Sequence, residues 1–150
     1  MDTPRPFHIL VLHGPNLNLF GRREPHIYGS VTLAQIDERL RSLARELGVE
    51  LTIVQSNHEG VLIDTFHQHI DTAHGTILNP GGLTQHSVSL HDCIKAMPFP
   101  VIEVHLSNLH AREGWRGHSI IAPAAKASIL GFGWRSYTAA LRALVESLHD

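Results

Sequence analysis

The chain has 150 residues, 43% of them hydrophobic, and a formal net charge of −2 with 12 lysines and arginines scattered along it. That size suits one domain over residues 1–150 with a single sizeable core, and the absence of a polybasic stripe argues against a nucleic-acid partner. A lone cysteine, Cys93, a start "MDTPRPF" without an apolar signal core, and no apolar run near the roughly 20 residues that span a bilayer together predict a soluble, cytoplasmic protein without membrane contact.

In chain order, short β-branched apolar runs alternate with segments of helical period. The strand candidates are "HILVL" from His8, "ELTIVQ" from Glu50, "GTILN" from Gly75, "VIEVHL" from Val101 and "ASILGF" from Ala127. They read as near-continuous apolar runs, the pattern of parallel strands buried on both faces. Between the first two, Leu33, Ile36, Leu40, Leu43, Ala44 and Leu47 recur at helical spacing, opened by a Thr32/Gln35 capping box and closed by Gly48. A second box, Ser56/Glu59, precedes Leu62, Phe66, Ile70 and Ala73, and a last helix carries Tyr137, Leu141, Leu144, Val145 and Leu148 on one stripe. Strands alternating with helices predict βαβ units, and five of them predict an α/β, flavodoxin-like, doubly wound parallel sheet in the order 2-1-3-4-5.

Such a sheet binds ligands beyond the carboxyl ends of its strands, where the strand order reverses. Asn16 follows the first strand, Asn79 ends the third, and His105 and Ser107 end the fourth, so three neighbouring strands deliver polar groups to one crevice. Asparagines in "GPN" and "NPGG" are also ordinary turn residues that bond their own backbone. The fourth strand is more pointed. Alternation puts Glu103 and His105 on one face of an apolar strand, where a carboxylate needs a partner and an imidazole held on one nitrogen has the other free to move protons. A structural ion pair at a strand end is the alternative.

The 13 histidines raise the question of a metal site. No HExxH, cysteine pair or His-rich tract occurs, and His67 and His69 fall on nearly opposite sides of a predicted helix, so no metal is expected. Neither GxGxxG nor GxxxxGK[ST] is present for a nucleotide phosphate.

The segments "HGPNLNLFGRREPHIYG", "QSNHEGVLID", "NPGGLTQHSVSLHD", "EVHLSNLHAREGWRGHS" and "GFGWRSYTAAL", in that order and spacing, resemble the type II 3-dehydroquinate dehydratases over nearly the whole chain. The resemblance implies reversible dehydration of 3-dehydroquinate to 3-dehydroshikimate through an enolate, without cofactor, in a dodecamer of trimers, serving aromatic (shikimate) biosynthesis or quinate breakdown. It implies Tyr28 as the general base and Arg23, with Arg112 as a second cation, as its activator. A phenol in water ionises near about 10, and adjacent cations favour phenolate. The loop bearing this pair would act as a lid. Asn16 would hold a water against the developing oxyanion, His105 would protonate the leaving hydroxyl, and Glu103 would orient His105. Asn79, Ser107, the Leu106 amide and Arg116 would grip the substrate, and Asp92 would reach a neighbouring subunit's site.

Two residues depart from the family pattern. Gln85 stands where a histidine is usual, with His86 one place later, and Gln85 is expected to keep the substrate contact. His13 stands where asparagine is usual before "GPN" and is expected to be tolerated. The lysine Schiff base of the unrelated type I enzymes finds no support, since the two lysines, Lys95 and Lys126, lie away from the predicted crevice. The competing class is a flavodoxin-like binding or regulatory module, which has no need of both a base and an oriented acid.

Overall fold

The structure, a computed structural model, describes residues 5–150. Their elements run β1 (His8–His13), a helical turn α1 (Pro25–Tyr28), α2 (Leu33–Leu47), β2 (Glu50–Gln55), α3 (Glu59–Gln68), β3 (Gly75–Asn79), α4 (Val88–Ala96), β4 (Val101–His105), β5 (Ala127–Leu130) and α5 (Arg135–Leu148). The described strands form one five-stranded sheet, all parallel, in the expected order β2-β1-β3-β4-β5.

Alternation along the strands divides the core in two. Ile9, Val11, Ile77, Ile102 and Val104 pack against Ile36 and Leu40 of α2 and Ala140, Leu141 and Leu144 of α5. Leu10, Leu12, Leu78 and Val101 face Leu62 and Phe66 of α3 and Leu90 and Ile94 of α4. Successive residues of a strand point to opposite faces, so two helical layers can be covered by one apolar run. The edges differ from the expectation. β5 leaves Ala127 and Ser128 exposed and Ile129 and Leu130 half-buried, and β2 is also only partly covered. Each has one neighbour in the sheet, so the both-faces burial of the central strands does not extend to them.

The α2 boundaries fall where the sequence puts them. Thr32 Oγ1 accepts from the Gln35 amide at 3.2 Å, the Gln35 side chain accepts from the Thr32 amide at 2.9 Å, and Gly48 takes a left-handed φ of 70°. The Ser56/Glu59 box does not form. Ser56 Oγ instead accepts from the His58 amide, and the Glu59 carboxylate accepts from Ser87 Oγ, itself the N-cap of α4. A long-range hydroxyl donor thus outcompetes the local backbone. α3 also stops at Gln68, short of Ile70 and Ala73, where His69 Nδ1 pairs with the Thr65 carbonyl at 2.8 Å.

At the carboxyl ends, the loops after β1 and β3 cross at contact distance. The Gly14 amide donates to the Asn79 carbonyl at 2.8 Å, and Gly81 adopts a φ of +58° beside Pro15. A Cβ on Gly14 would sit 2.3 Å from the Pro80 carbonyl oxygen. Gly14→Ala therefore forces the two loops apart and should cost about 1–3 kcal/mol, as overpacking does, seen as a lowered urea midpoint; an unchanged midpoint would show that the crossing relaxes freely.

Candidate active site

The crossing leads directly to a cavity of about 350 Å³ above the ends of β1, β3 and β4. The chain leaving β1 makes a short 3-10 turn at Leu17–Leu19, anchored by buried Leu17 and Phe20, then returns through α1 to present Tyr28. Phe20 and Tyr28 pack with ring centroids 5.7 Å apart, so the apolar anchor sets where the phenol lies. Asn16 begins this excursion in the left-handed region, φ 68°, a conformation asparagine tolerates better than most residues. Its amide donates to Asn57 Oδ1 at 3.0 Å, which leaves its side chain on the cavity wall.

Two guanidinium groups meet the phenol. Arg112 Nη1 donates to the Tyr28 oxygen at 2.9 Å, and Arg23 lies over the ring at 5.1 Å from its centroid. The expected order of the two cations is reversed, since Arg112 and not Arg23 makes the direct bond. The turn after β4 brings Arg112 to the hydroxyl across 84 residues of chain, whereas Arg23, on the same loop as Tyr28, lies over the ring face. Arg22, its neighbour, is exposed and takes no part in the cavity.

Opposite, β4 delivers His105. Its Nε2 is bonded to Glu103 Oε2 at 2.8 Å, so Nδ1 is the nitrogen left for the cavity that His105 lines. Glu103 is 1% exposed and accepts two further hydrogen bonds, from Ser119 Oγ at 2.7 Å and Ser128 Oγ at 3.1 Å. Burial pushes its carboxyl up, but the His105 bond and charge and the two serine hydroxyls outweigh burial and hold it below the ordinary carboxylate range. The serines were not among the sequence candidates. Ser128 lies directly across from Glu103 in the β4–β5 pairing, so a polar residue in the run "ASIL" is its only trace in the sequence.

The remaining walls carry Asn79, Gln85, Leu106, Ser107 and Arg116, together with His86, Thr84 and Trp115. Asn79 Oδ1 accepts from the Gly81 amide at 3.2 Å, and Gln85 Nε2 donates to the Arg116 carbonyl at 3.3 Å, which turns Gln85 Oε1 away from that bond. Both Gln85 and His86 border the cavity, Gln85 half-buried and His86 exposed. Trp115, 64% exposed and stacked under the Arg116 guanidinium, adds an aromatic rim that the sequence candidates lacked. Asp92 lies outside this cavity, exposed on α4 and paired with His91 at 2.9 Å. Lys95 and Lys126 border a separate hollow at the opposite end of the sheet. Among the described residues, the cavity walls hold Arg23, Arg112 and Arg116 and no carboxylate, so the site is built for an anion.

The family described as dehydroquinase class II matches residues 7–145. Proteins named 3-dehydroquinate dehydratase from Herpetosiphon aurantiacus and Gloeothece citriformis are similar to the chain at 53% identity over 133 residues and 54% over 142 residues. These matches cover 89% and 95% of this chain and 92% and 93% of the relatives. The crystal structure of the type II dehydroquinase of Butyrivibrio crossotus superposes with a TM-score of 0.91 at 33% identity, covering 93% of this chain and 97% of that one. That of Propionibacterium acnes gives 0.90 at 35% identity, covering 96% and 99%. The extent of the family match and the identity of these relatives establish that the chain belongs to the class II dehydroquinase family.

Proposed function

We propose that the chain catalyses the reversible dehydration of 3-dehydroquinate to 3-dehydroshikimate through an enolate, with no cofactor, as one dehydroquinase domain over residues 1–150. The observation that carries this reading is the pairing of two proton-transfer groups across one cavity: a phenol backed by guanidinium groups and an imidazole held on its Nε2 by Glu103. A module that only holds a ligand has no use for both.

The geometry supplies a role for each group. Negative charge on the Tyr28 oxygen is stabilised by the Arg112 bond and the adjacent Arg23, which suits a base that removes the proton next to the ketone. The electrons move into the carbonyl, and Asn16 holds a water against the oxyanion that develops; stabilising charge where it appears is usually the largest catalytic contribution. His105 then delivers a proton from Nδ1 to the departing hydroxyl, and Glu103 supports the imidazolium through Nε2. Arg116, Asn79, Ser107 and the Leu106 amide grip the carboxylate and hydroxyls, and Gln85 uses its amide oxygen or nitrogen where an imidazole is usual. Twelve chains assemble as a dodecamer of trimers, with the exposed Asp92 reaching a neighbour's site.

Mixing the protein with 3-dehydroquinate and following the ultraviolet absorbance of the conjugated enone tests the reading directly. Tyr28→Phe and His105→Ala should each lower kcat by about 10²–10⁴, the contribution of one positioned acid or base, with thermal unfolding little changed; near-wild-type turnover in Tyr28→Phe refutes the assignment of the base. Gln85→Ala should raise KM through the loss of one hydrogen bond, about 1–2 kcal/mol, while His86→Ala leaves it alone. The reverse pattern would hand the contact to His86.

Glu103 also makes stability depend on pH. Its carboxyl is held down in the folded state, so its contribution is present above the ordinary carboxylate range and is lost as pH falls through and below it. Wild type should therefore lose more unfolding free energy than Glu103→Gln between pH 7 and about pH 4, as read from urea midpoints at the two pH values. Parallel losses in the two proteins would mean that Glu103 is not held down.

A further inference from the structure

Two non-glycine residues among those described have a left-handed backbone, Asn16 at φ 68° and Glu24 at φ 42°, and of the two only Asn16 lines the cavity. An L side chain stays in that region because its surroundings hold it there. The side chains that hold Asn16 come from the end of β2. Asn57 Oδ1 accepts from the Asn16 amide at 3.0 Å, and Gln55 Nε2 donates to the same Oδ1 at 3.2 Å and to the Gly14 carbonyl at 3.2 Å. Gln55 is the register partner of His13 in the β1–β2 pairing, so it lies beside the residue where that turn begins.

Counting donors and acceptors leaves one orientation for both amides. Asn57 Oδ1 faces two N–H donors, so rotating its amide by half a turn would set an NH₂ group against them. The Gln55 NH₂ has two hydrogens for its two acceptors, and the Gly14 carbonyl also takes the Leu17 amide at 3.4 Å. The Asn16 carbonyl takes the Leu19 amide at 3.0 Å, so the turn is tied on both sides of residue 16.

Asn57 does not serve the helix that follows it. The N-cap of α3 is His58, which makes no side-chain cap bond, and the His58 amide is taken by Ser56 Oγ. Nor do the strands need these two side chains to stay together at this end, since the Ser56 amide donates to the His13 carbonyl at 3.0 Å and the Gly14 amide to the Asn79 carbonyl at 2.8 Å. Gln55 and Asn57 also stand outside the cavity wall. What their bonds restrain is the peptide plane of Asn16, and with it the direction in which its side chain leaves the backbone. We propose that Gln55 and Asn57 are positioning residues that hold Asn16 in its left-handed turn, so that its side chain meets the water and the oxyanion of the elimination. This rests on the dehydroquinase reading of the site. A backbone that relaxes to the right-handed or extended region swings the Asn16 side chain off the cavity wall.

The test is a double-mutant cycle on steady-state turnover of 3-dehydroquinate. Asn57→Ala removes the acceptor and should lower kcat about tenfold, the scale of one hydrogen bond, with KM within about twofold of wild type, because Asn16 acts on charge that develops only in the reaction. Asn57→Asp keeps an acceptor oxygen for the same donors and should recover most of the lost kcat. An Asn16→Gly background accepts a left-handed backbone without the side chain, and there Asn57→Ala should cost nothing further. An unchanged kcat in Asn57→Ala, a loss that falls on KM instead, no recovery in Asn57→Asp, or a loss that persists undiminished in Asn16→Gly overturns the proposal. Asn57 is exposed, so its truncation should leave the thermal midpoint near that of wild type. Should it fail to fold, Gln55→Met, which keeps the length and removes the Nε2 donor, decides by the same reading of kcat against KM. Wild type is assayed first: no turnover there overturns the dehydroquinase reading and the positioning role with it, whereas wild-type turnover with any of the contrary results overturns only the positioning role.

Discussion

A carboxylate with 1% exposure inside an apolar sheet is stable as an anion only if the fold surrounds it with donors, and Glu103 has three. Those donors come from two residues further along its own strand, from the loop after β4 and from the edge strand β5. Meeting that demand therefore fixes the position of β5 against β4, closes the long connection that carries Ser119, and leaves His105 with one ring nitrogen committed and the other free. The same connection carries Arg112 and Trp115, so the charge that faces Tyr28 is positioned by the loop that satisfies Glu103. Leaving a buried carboxylate short of a donor costs more than the bond itself is worth.

The second constraint is steric. The loops after β1 and β3 approach so closely that Gly14 has no room for a side chain, and this contact brings Asn16 and Asn79 to the wall of one cavity. From there the chain must travel out to Tyr28 and back, and the apolar anchors Leu17 and Phe20 keep that excursion from being a free flap. The outcome is a site whose phenol, Tyr28, sits on a tethered loop and whose imidazole, His105, sits at the end of a strand.

Electrostatics gives the cavity its character. Three arginines and no carboxylate line it among the described residues, while the one acid that matters lies behind His105, out of contact with a ligand. An anionic ligand is drawn in by the cations without meeting the negative charge that the imidazole needs. The proposed elimination uses the same separation, with positive charge where the phenol ionises and negative charge where the imidazole is protonated.

The periodicity of "LAQIDERLRSLAREL" and its capping box fix α2 locally, because both Thr32 and Gln35 find their partners within one turn. The order of the strands follows from the alternation of elements, and the positions of Asn79 and His105 at strand ends and of Asn16 just after one place them at the crevice before any coordinates are known. The failures share a cause. Ser56 and Glu59 are drawn to other partners, Ser119 and Ser128 become ligands of Glu103, and Arg112 displaces Arg23 as the direct partner of Tyr28. His13 likewise pairs with Asp37 and Tyr137, 24 and 124 residues away. Local bonding is written in neighbouring residues and can be read from them, whereas the partner of a buried polar group is chosen by whichever donor the packed elements bring within about 3 Å, and the packing alone makes that choice.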